Sequence, residues 1–390
     1  MFLWGVATIG QGLVQNQAGL IAMRLLLGLF EAGFFPGCVY LISMYYKRYE
    51  LQWRLNLFFC GAILAGAFSG LFAYAIANLD GLGGYGGWRW IFIMLVDTHP
   101  WHQRSLLIFY NSEGIITCGV AFISKWLIPD WPETAKFLND DERRLLVARL
   151  SVDVADAKMN RLDGPARKRV FGDWKIYCGV VMYIGIVNTG YATSFFTPTI
   201  VRDLGYTAQA AQVRSIPVFV VATVVSLMVA WCADRARHRF GFCILGICIA
   251  SVGYAILLCQ DSVMVGVRYF AIFIIVSGGY ICQPVTLAWI QNNMTGHYKR
   301  SIASAMMVGF GNCGGIIASN VFITTQAPHY TVGYGTSLGL LWMCAAACVV
   351  LLLGVMAENK KRDQGERDWR LDGPDADNLG DDHPYFRFTY

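Results

Sequence analysis

Apolar residues recur in long runs along most of the 390-residue chain, and polar residues are concentrated between the runs. A helix needs about 20 apolar residues to cross the hydrocarbon core of a bilayer. We therefore expect an all-α polytopic membrane protein, since helices and closed barrels alone satisfy their backbone groups in lipid. The pattern predicts ten spans, over residues 2–15, 20–45, 55–78, 88–127, 174–199, 213–231, 240–259, 265–290, 302–323 and 335–357.

A long polar segment divides the predicted spans into two groups. Residues 1–127 hold four spans and form an incomplete N-terminal bundle, whereas residues 173–357 hold six and form a C-terminal bundle. The linker between them, 128–172, contains NDDERRLLVARL, whose leading Asn139 and acidic first turn predict a short helix. The tail, 358–390, is polar with charges of both signs, so we expect it to be mostly disordered.

Basic residues are concentrated in alternate loops. They cluster at 47–54, 136–169, 235–239 and 299–300 and in the tail, while Arg202 is the main exception in the opposite set. The positive-inside rule places the basic loops in the cytosol. We therefore expect a multi-pass protein with a cytosolic linker and C-terminus. We expect the membrane to be the plasma membrane. The net charge of +5 then reflects membrane orientation and predicts no nucleic-acid partner.

The composition gives no sign of a metal site or an enzyme. The 12 cysteines lie almost wholly inside the apolar runs, and the pair Cys344 and Cys348 has no second pair and no histidine near it in the sequence. This scatter is typical of small buried side chains and predicts neither a disulfide framework nor a zinc cluster. No nucleophile–base set or phosphate-binding loop is visible, so we expect no catalytic residues and no cofactor.

One predicted span is interrupted by polar residues in FIMLVDTHPWHQRSLLIFYNSEGIIT. Removal of residues 95–112 joins the flanking apolar stretches into a run of about 23 residues, the length of a span. We therefore interpret residues 95–112 as a foreign insertion, such as a translated retained intron. The alternative is a metal or proton site at His99 and His102.

Two charged residues lie within the apolar run 20–45. Arg24 and Glu31 are seven residues apart, so a helix places them on nearly one face and roughly 10 Å apart along its axis. A charge at mid-membrane costs roughly 2.5–3.5 kcal/mol or more, so this face should point into the protein. We interpret Glu31 as a reversible proton carrier and Arg24 as a fixed positive charge, with interhelical hydrogen bonding as the alternative for each. Gly33 and Pro36 should loosen the helix after Glu31.

Other polar residues lie at a similar depth in both halves of the chain. Within about two turns of the span centres are Asn188, Tyr191, Tyr280, Gln283 and Asn312, in addition to Glu31. Transporter sites lie near the midplane, and amide and phenol groups can donate to a carboxylate or amide ligand. We therefore predict a substrate site from this set. The alternative is that each residue forms a helix–helix hydrogen bond.

An ordered set of motifs resembles the major facilitator superfamily, and within it the fungal anion:cation symporter branch that includes allantoate, nicotinate and pantothenate permease-like proteins. The resemblance covers nearly the whole chain except residues 95–112. The matching stretches are RLLLGLFEAGFFPG at 24–37, GWRWIF at 87–92, LIPDWPETAKFLNDDER at 127–143, SFFTPTI at 194–200, QPVTLAWIQNNMTGHYKRSIASAMMVGFGNCGGIIASN at 283–320 and HPYFRF at 383–388.

The resemblance implies a fold of twelve spans in two six-helix bundles, with the substrate path between them. The chain would then begin at the third span, with the first two missing. Arg24 and Gly28 match the Arg-x-x-x-Gly pattern of the fourth span. In ADRARHR, residues 233–239, Asp234, Arg235 and Arg239 would bridge helix ends and act in gating, with plain positive-inside anchoring as the alternative.

The function that this implies is proton-coupled symport of a small organic anion by alternating access. The partners would be a carboxylate such as allantoate, nicotinate or pantothenate, a proton and the lipid bilayer. The alternative is a non-transporting membrane sensor, or the inactive product of a truncated or misspliced gene model.

Overall fold

The computed structural model describes residues 1–77, 113–154, 159, 161–327, 329–373 and 375–390. The predicted insertion at 95–112, with His99 and His102, lies outside the described residues. The same holds for the motif at 87–92 and for the first part of the predicted span 88–127.

Within the described ranges the chain is helical and contains no β-strand. The helices are α1 (Phe2–Leu13), α2 (Gln17–Glu31), α3 (Phe34–Tyr45), α4 (Leu51–Ala77), α5 (Glu113–Leu127), α6 (Asp140–Val154), α7 (Gly164–Phe171), α8 (Trp174–Asp203), α9 (Ala208–Ala236), α10 (Arg239–Leu258), α11 (Val265–Asn292), α12 (His297–Gly311), α13 (Cys313–Val321) and α14 (Thr331–Asp363).

Seven stretches of the described chain are long and apolar enough to cross a membrane, which fits the prediction of an all-α polytopic protein. They are Gln17–Tyr45, Gly164–Asp203, Ala210–Ala236, Arg239–Leu258, Val265–Asn292, His297–Val321 and Thr331–Asp363. The shorter apolar helices are Phe2–Leu13 and Ile116–Leu127.

Side chains before the first turn fix where several helices begin. Asn16 accepts a hydrogen bond from the backbone of α2, and Asp163 and Asp173 do the same for α7 and α8. Thr207 caps α9 in the same way. Each cap satisfies a backbone N–H that has no partner inside its own helix. The predicted linker helix is present as α6, and α7 is a second one.

The chain divides into two compact units: Met1–Phe35 with Phe68–Asn139, and Pro36–Ala67 with Asp140–Tyr390. In the described part of the first unit, α1 packs against α2 and α5. An edge-to-face contact of Trp4 with Phe34, with ring centroids 5.1 Å apart, also belongs to this unit.

In the second unit, α8 is the central helix. It packs against α9, α11, α12, α13 and α14, and α10 packs against α11 and α14. The first part of α4 is also in this unit, where Ile63 joins a buried apolar cluster with Val201 and Phe219. We define the basic end of this unit as the end at which Lys175, Arg239 and Lys299 lie, where α8, α10 and α12 begin.

Glycine lets two helix pairs touch backbone to backbone. A Cβ atom on Gly314 of α13 would lie 2.3 Å from the carbonyl oxygen of Ile184 on α8. A Cβ atom on Gly278 of α11 would lie 2.6 Å from the carbonyl oxygen of Gly246 on α10. Such close approach is typical of membrane helices that pack through small residues.

Two of the predicted spans contain a break. As expected, the helix loosens after Glu31: α2 ends there and α3 begins at Phe34. The predicted span 302–323 corresponds to one membrane-spanning stretch, His297–Val321, which is interrupted at Asn312 between the end of α12 at Gly311 and the start of α13 at Cys313. Hydropathy could not show this second break, because the residues on both sides of Asn312 are apolar or small.

The expectation of a mostly disordered tail is wrong. Helix α14 continues to Asp363, and short 3₁₀ turns follow at Asp368–Asp372, Ala376–Asn378 and Gly380–Asp382. The last part of the chain, 379–390, is folded onto the basic end, and Phe386 and Phe388 are buried there. Composition failed here because the polar residues of the tail meet specific partners on the helices. We call residues 379–390 the C-terminal segment.

Candidate functional site

Helices α8 and α11 bring phenol and amide groups together. The side-chain amide of Gln283 donates to the hydroxyl of Tyr183 at 3.3 Å. Gly190 leaves room beside this amide, since a Cβ atom there would lie 3.8 Å from the Gln283 Oε1 atom. Tyr280 lies one turn before Gln283 and contacts the ring of Phe219, with centroids 6.4 Å apart.

Residues on both sides of the α12–α13 break contact two tyrosines of α8. The ring of Tyr183 lies against Gly311, where a Cβ atom would be 2.4 Å from the ring, and the ring of Tyr191 lies against Gly315. Asn312 lies between these two glycines, and its side chain and that of Tyr191 are exposed. We define the polar cluster as Tyr183, Tyr191, Tyr280, Gln283 and Asn312, in which Asn312 is included for its place between the two glycines.

Asn188 makes a different contact. Its side chain is fully buried and donates to the Ser337 hydroxyl on α14 at 3.0 Å. This bond links α8 to α14, which is the helix–helix role left open as its alternative. The structure does not give Asn188 a side-chain hydrogen bond to the polar cluster among the described residues.

Arg24 and Glu31 lie on α2 in the first unit. Their side chains are exposed, and no residue of α2 is buried. Glu31 is the last residue of α2, directly before the break. A membrane-spanning helix with a charged, exposed face needs a polar surrounding for that face.

At the basic end, Arg239 is the centre of a second polar group. Its guanidinium is fully buried, pairs with Asp234 and donates to the Gln52 side chain. It also donates to the carbonyl oxygen of Arg48 at 3.0 Å. Asp234 in turn accepts from the backbone N–H of Trp53 at 2.8 Å. Two predicted gating residues are thus in contact, and they connect α9 and α10 to the start of α4.

Asn292 joins the same group, since its amide donates to the Arg48 carbonyl oxygen at 2.8 Å. We call Arg48, Gln52, Asp234, Arg239 and Asn292 the Arg239 network. Arg235 is not brought into it: this residue is exposed, and its guanidinium lies 5.6 Å from the ring centroid of Trp231. The structure therefore brings together two of the three predicted gating residues and places Arg235 apart from them.

The C-terminal segment is bonded to this network. The backbone N–H of Arg239 donates to the Tyr390 carbonyl oxygen at 2.6 Å, and the Arg48 guanidinium donates to the Arg387 carbonyl oxygen at 2.9 Å. Asn293 at the end of α11 holds Thr389 with hydrogen bonds in both directions, at 2.7 and 3.1 Å. The segment thus connects α10, α11 and the α3–α4 connection.

A buried ion cluster anchors the other part of the segment. Lys299 lies 2.6 Å from Asp173 and 2.9 Å from Asp381, and Lys175 lies 3.0 Å from both carboxylates. All four side chains are at most 6% exposed. Burial alone would raise the pKa of Asp381, but the two lysines hold that pKa well below its usual range. Asp381 is therefore ionised when it is bound here.

Sequence reasoning missed Tyr183, Arg48, Gln52 and the role of the C-terminal segment. Tyr183 lies within one turn of the centre of the predicted span 174–199, so the search by depth could have found it. The motif at 233–239 contained Asp234 and Arg239, but no sequence pattern indicates which residues lie opposite them. HPYFRF was visible as a motif, yet its contacts depend on residues far away in the sequence.

Three thiols could in principle hold a metal ion. The sulfur atoms of Cys243, Cys344 and Cys348 lie within 4.8 Å of one another, and those of Cys243 and Cys348 are 3.4 Å apart. All three are buried. A thiol binds metal as a thiolate, and burial in apolar surroundings opposes its ionisation. The group is therefore best explained as small buried side chains that let α10 approach α14.

Comparison with known proteins gives the family of this chain. The model of the Major Facilitator Superfamily matches residues 109–319. An uncharacterized transporter of Schizosaccharomyces pombe is 31% identical over 385 residues, which cover 99% of this chain and 73% of the relative. The high-affinity nicotinic acid transporter of Saccharomyces cerevisiae is 29% identical over 402 aligned positions, which cover 99% of this chain and 69% of that protein.

A solved structure shows the same fold. The structure of the proton:xylose symporter XylE bound to 6-bromo-6-deoxy-D-glucose aligns with a TM-score of 0.61 and 14% sequence identity, over 91% of this chain and 77% of that one. The predicted fold class is confirmed by this match together with the family match. The chain is thus a multi-pass membrane transporter that belongs to the Major Facilitator Superfamily.

Proposed function

We propose that this transporter carries a small organic anion together with a proton by alternating access. The observation that carries the proposal is the polar cluster, which gathers phenol and amide groups inside membrane-spanning helices. Polar groups at such a depth are costly unless they have partners or line a cavity. The nicotinic acid transporter of yeast, a relative along 99% of this chain, adds support for a carboxylate substrate.

The chemistry of the cluster suits a carboxylate. Phenol hydroxyl and amide N–H groups donate hydrogen bonds to carboxylate oxygens. Tyr191, Gln283 and Asn312 offer these groups from α8, α11 and the α12–α13 break. Transporter sites commonly form from several helices near the midplane. We propose nicotinate, allantoate or pantothenate as substrates, with Arg24 as a fixed positive charge that favours an anion. Asn188 would act by fixing α8 against α14.

Glu31 is the proposed proton carrier. It ends α2 at the break in the membrane-spanning stretch Gln17–Tyr45, and its side chain is exposed. A carboxyl group in this position can exchange a proton with water that enters the protein. Binding of the proton would remove a negative charge and so favour the anion, which couples the two cargoes.

The Arg239 network is the proposed gate at the basic end. It connects α4 to α9, α10 and α11, so this end cannot open between α4 and those helices until Arg239 releases Gln52 and Arg48. From the positive-inside pattern we propose that this end faces the cytosol. We further propose that the protein lies in the plasma membrane. Closure would depend on Arg239 and Asp234, and Arg235 would take no part.

The test is uptake of radiolabelled carboxylates into proteoliposomes under an imposed pH gradient. We expect uptake of at least one substrate to increase when the outside is acidic and to collapse with a protonophore. Glu31→Gln should remove the pH dependence, whereas Glu366→Gln, which changes an exposed tail residue in the same way, should keep it.

Uptake that depends neither on pH nor on the protonophore would disprove proton coupling. Retained pH dependence in Glu31→Gln would show that the coupling residue is elsewhere. If folded protein takes up none of the carboxylates, the proposed substrate class is wrong.

A further inference from the structure

A cavity of about 450 Å³ lies at the basic end of the second unit. It is lined by the end of α7, the start of α8, the end of α14 and the residues that follow α14, and it is open to solvent on one side. Seven of its side chains are lysine or arginine, and three are carboxylates. A cavity with this surplus of positive charge is suited to an anion.

The carboxylates of the cavity are already paired. Glu358 accepts from the Arg367 guanidinium at 2.7 and 2.9 Å, and Asp382 lies 3.5 Å from Arg370. Asp173 belongs to the buried ion cluster. The bond to Glu358 raises the pKa of Arg367, so this guanidinium keeps its charge. Arg169 and Lys175 pair with Asp375 and Asp381, which lie outside the lining. The positive charge available to a ligand therefore comes from the cations that have no such pair.

Lys168 and Lys361 are two such cations. Both line the cavity and are exposed, and neither has an ion pair within the described part of the chain. Lys168 is near the end of α7, and Lys361 is in the last turn of α14. Two amines from different helices therefore line one cavity, where their N–H groups can donate to a bound anion.

The cavity lies where the exposed apolar residues of α14 are followed by charged ones. Leu353 and Met356 are 60% and 47% exposed, and the basic last turn of α14 follows directly. The ring of Trp174 packs against Gly354, where a Cβ atom would lie 2.2 Å from the ring, and remains 41% exposed. An exposed tryptophan at this position is typical of the membrane–water interface.

We propose that this cavity binds a multiply charged phosphate group, carried on an anionic lipid headgroup or on a soluble organic phosphate. Guanidinium and ammonium groups donate charge-assisted hydrogen bonds to phosphate oxygens, and several cations are needed for more than one negative charge. Basic pockets at the ends of membrane-spanning helices are suited to phosphorylated headgroups. The volume is in the range of small-molecule sites. The proposal is independent of the transported substrate.

The test measures binding to the purified full-length chain in nanodiscs of phosphatidylcholine. One arm adds phosphatidylinositol 4,5-bisphosphate to the nanodisc lipid and measures bound lipid by native mass spectrometry. The other arm titrates soluble inositol 1,4,5-trisphosphate and measures binding by thermophoresis. We expect binding in at least one arm, and weaker binding as the ionic strength rises.

Two double variants separate the cavity from general charge attraction. K168Q/K361Q removes the two unpaired amines of the cavity, and we expect binding to weaken about thirtyfold. R167Q/K360Q removes two positive charges from the adjacent exposed positions, which do not line the cavity. For this control we expect a change of about twofold or less.

Binding in the lipid arm alone would identify a headgroup as the source, and binding in the soluble arm alone would identify a free phosphate. The absence of binding in both arms would overturn the proposal. Equal loss of binding in the two double variants would also overturn it, since the cavity would then add nothing to the general charge. All four changed residues are exposed, so thermal unfolding should be the same in both variants.

Discussion

At the scale of single residues, Arg239 shows how one side chain can hold several helices. Its planar guanidinium donates to the Asp234 carboxylate, the Gln52 side chain and the Arg48 carbonyl oxygen at the same time. A lysine has the same charge but presents its three donors from a single nitrogen, so it cannot reproduce this fork.

Arg239→Lys should therefore impair transport although it keeps the charge. We expect at least one of the contacts to Gln52 and Arg48 to be lost and uptake to fall about tenfold or more, since a bond to a buried charge contributes about 1.5–3 kcal/mol. Arg235→Lys is the matched control and should retain uptake within about twofold, because Arg235 is exposed. Equal effects of the two changes would contradict a role of the Arg239 network.

Asp381→Asn should destabilise the protein strongly. The change leaves Lys175 and Lys299 with one buried carboxylate instead of two, and an unpaired buried charge costs about 3–5 kcal/mol. Asp377→Asn is the control, since Asp377 is 66% exposed in its pair with Arg161 and should change stability by at most about 0.5 kcal/mol. Thermal unfolding in detergent measures both, and similar values would show that the cluster does not stabilise the fold.

At the scale of helices, close contact through glycine determines how the second unit packs. Helix α13 lies so near α8 that no side chain fits between Gly314 and the Ile184 carbonyl oxygen. The neighbouring break at Asn312 keeps this short helix distinct from α12. The position of the polar cluster depends on both features, because Tyr183 and Tyr191 lie against glycines on either side of the break.

Gly314→Ala should separate α13 from α8. The added Cβ atom would lie 2.3 Å from a backbone oxygen, so we expect a loss of about 1–3 kcal/mol and reduced uptake. Gly309→Ala on α12 is the control. The Cβ atom added there would have no atom within 4 Å, so this change should be neutral or slightly stabilising. Thermal unfolding and uptake of the two variants provide the comparison. Unchanged stability and uptake in Gly314→Ala would show that the helices can move apart freely.

The helices could be predicted from the sequence because lipid permits few alternatives for a long apolar run. The break after Glu31 was also predictable from glycine and proline. The fold of the C-terminal segment was not, since Asp381 is stable there only through Lys175 and Lys299, which lie 206 and 82 residues away. Composition shows that the tail is polar, but it does not indicate that distant lysines bind it.

At the scale of the whole molecule, two kinds of carboxyl group should respond differently to pH. The proposed proton carrier has to change its protonation during transport. Asp381 should remain ionised, because its pKa is held well below the usual range. Its ion pairs therefore stabilise the fold fully above the unfolded-state value of about 3.9 and lose this effect as the pH falls below it.

We therefore expect the C-terminal segment to remain bound from about pH 8 to pH 5 while uptake changes over the same range. Hydrogen exchange of residues 379–390 and uptake measured at the same pH values test this. Unchanged protection with increasing uptake would place the pH response outside the segment. Loss of protection within this range would contradict the assignment of Asp381 as a permanently charged anchor.

The buried ion cluster also has a consequence for biosynthesis. During translation, Lys175 and Lys299 leave the ribosome before Asp381, which follows α14 in the sequence. Until Asp381 has been synthesised, the two amines share only Asp173, so the basic end of the nascent protein cannot adopt its final structure. A chain that is released with its last residue between 363 and 381 should therefore present this end to chaperones and proteases, although it contains every described membrane-spanning helix.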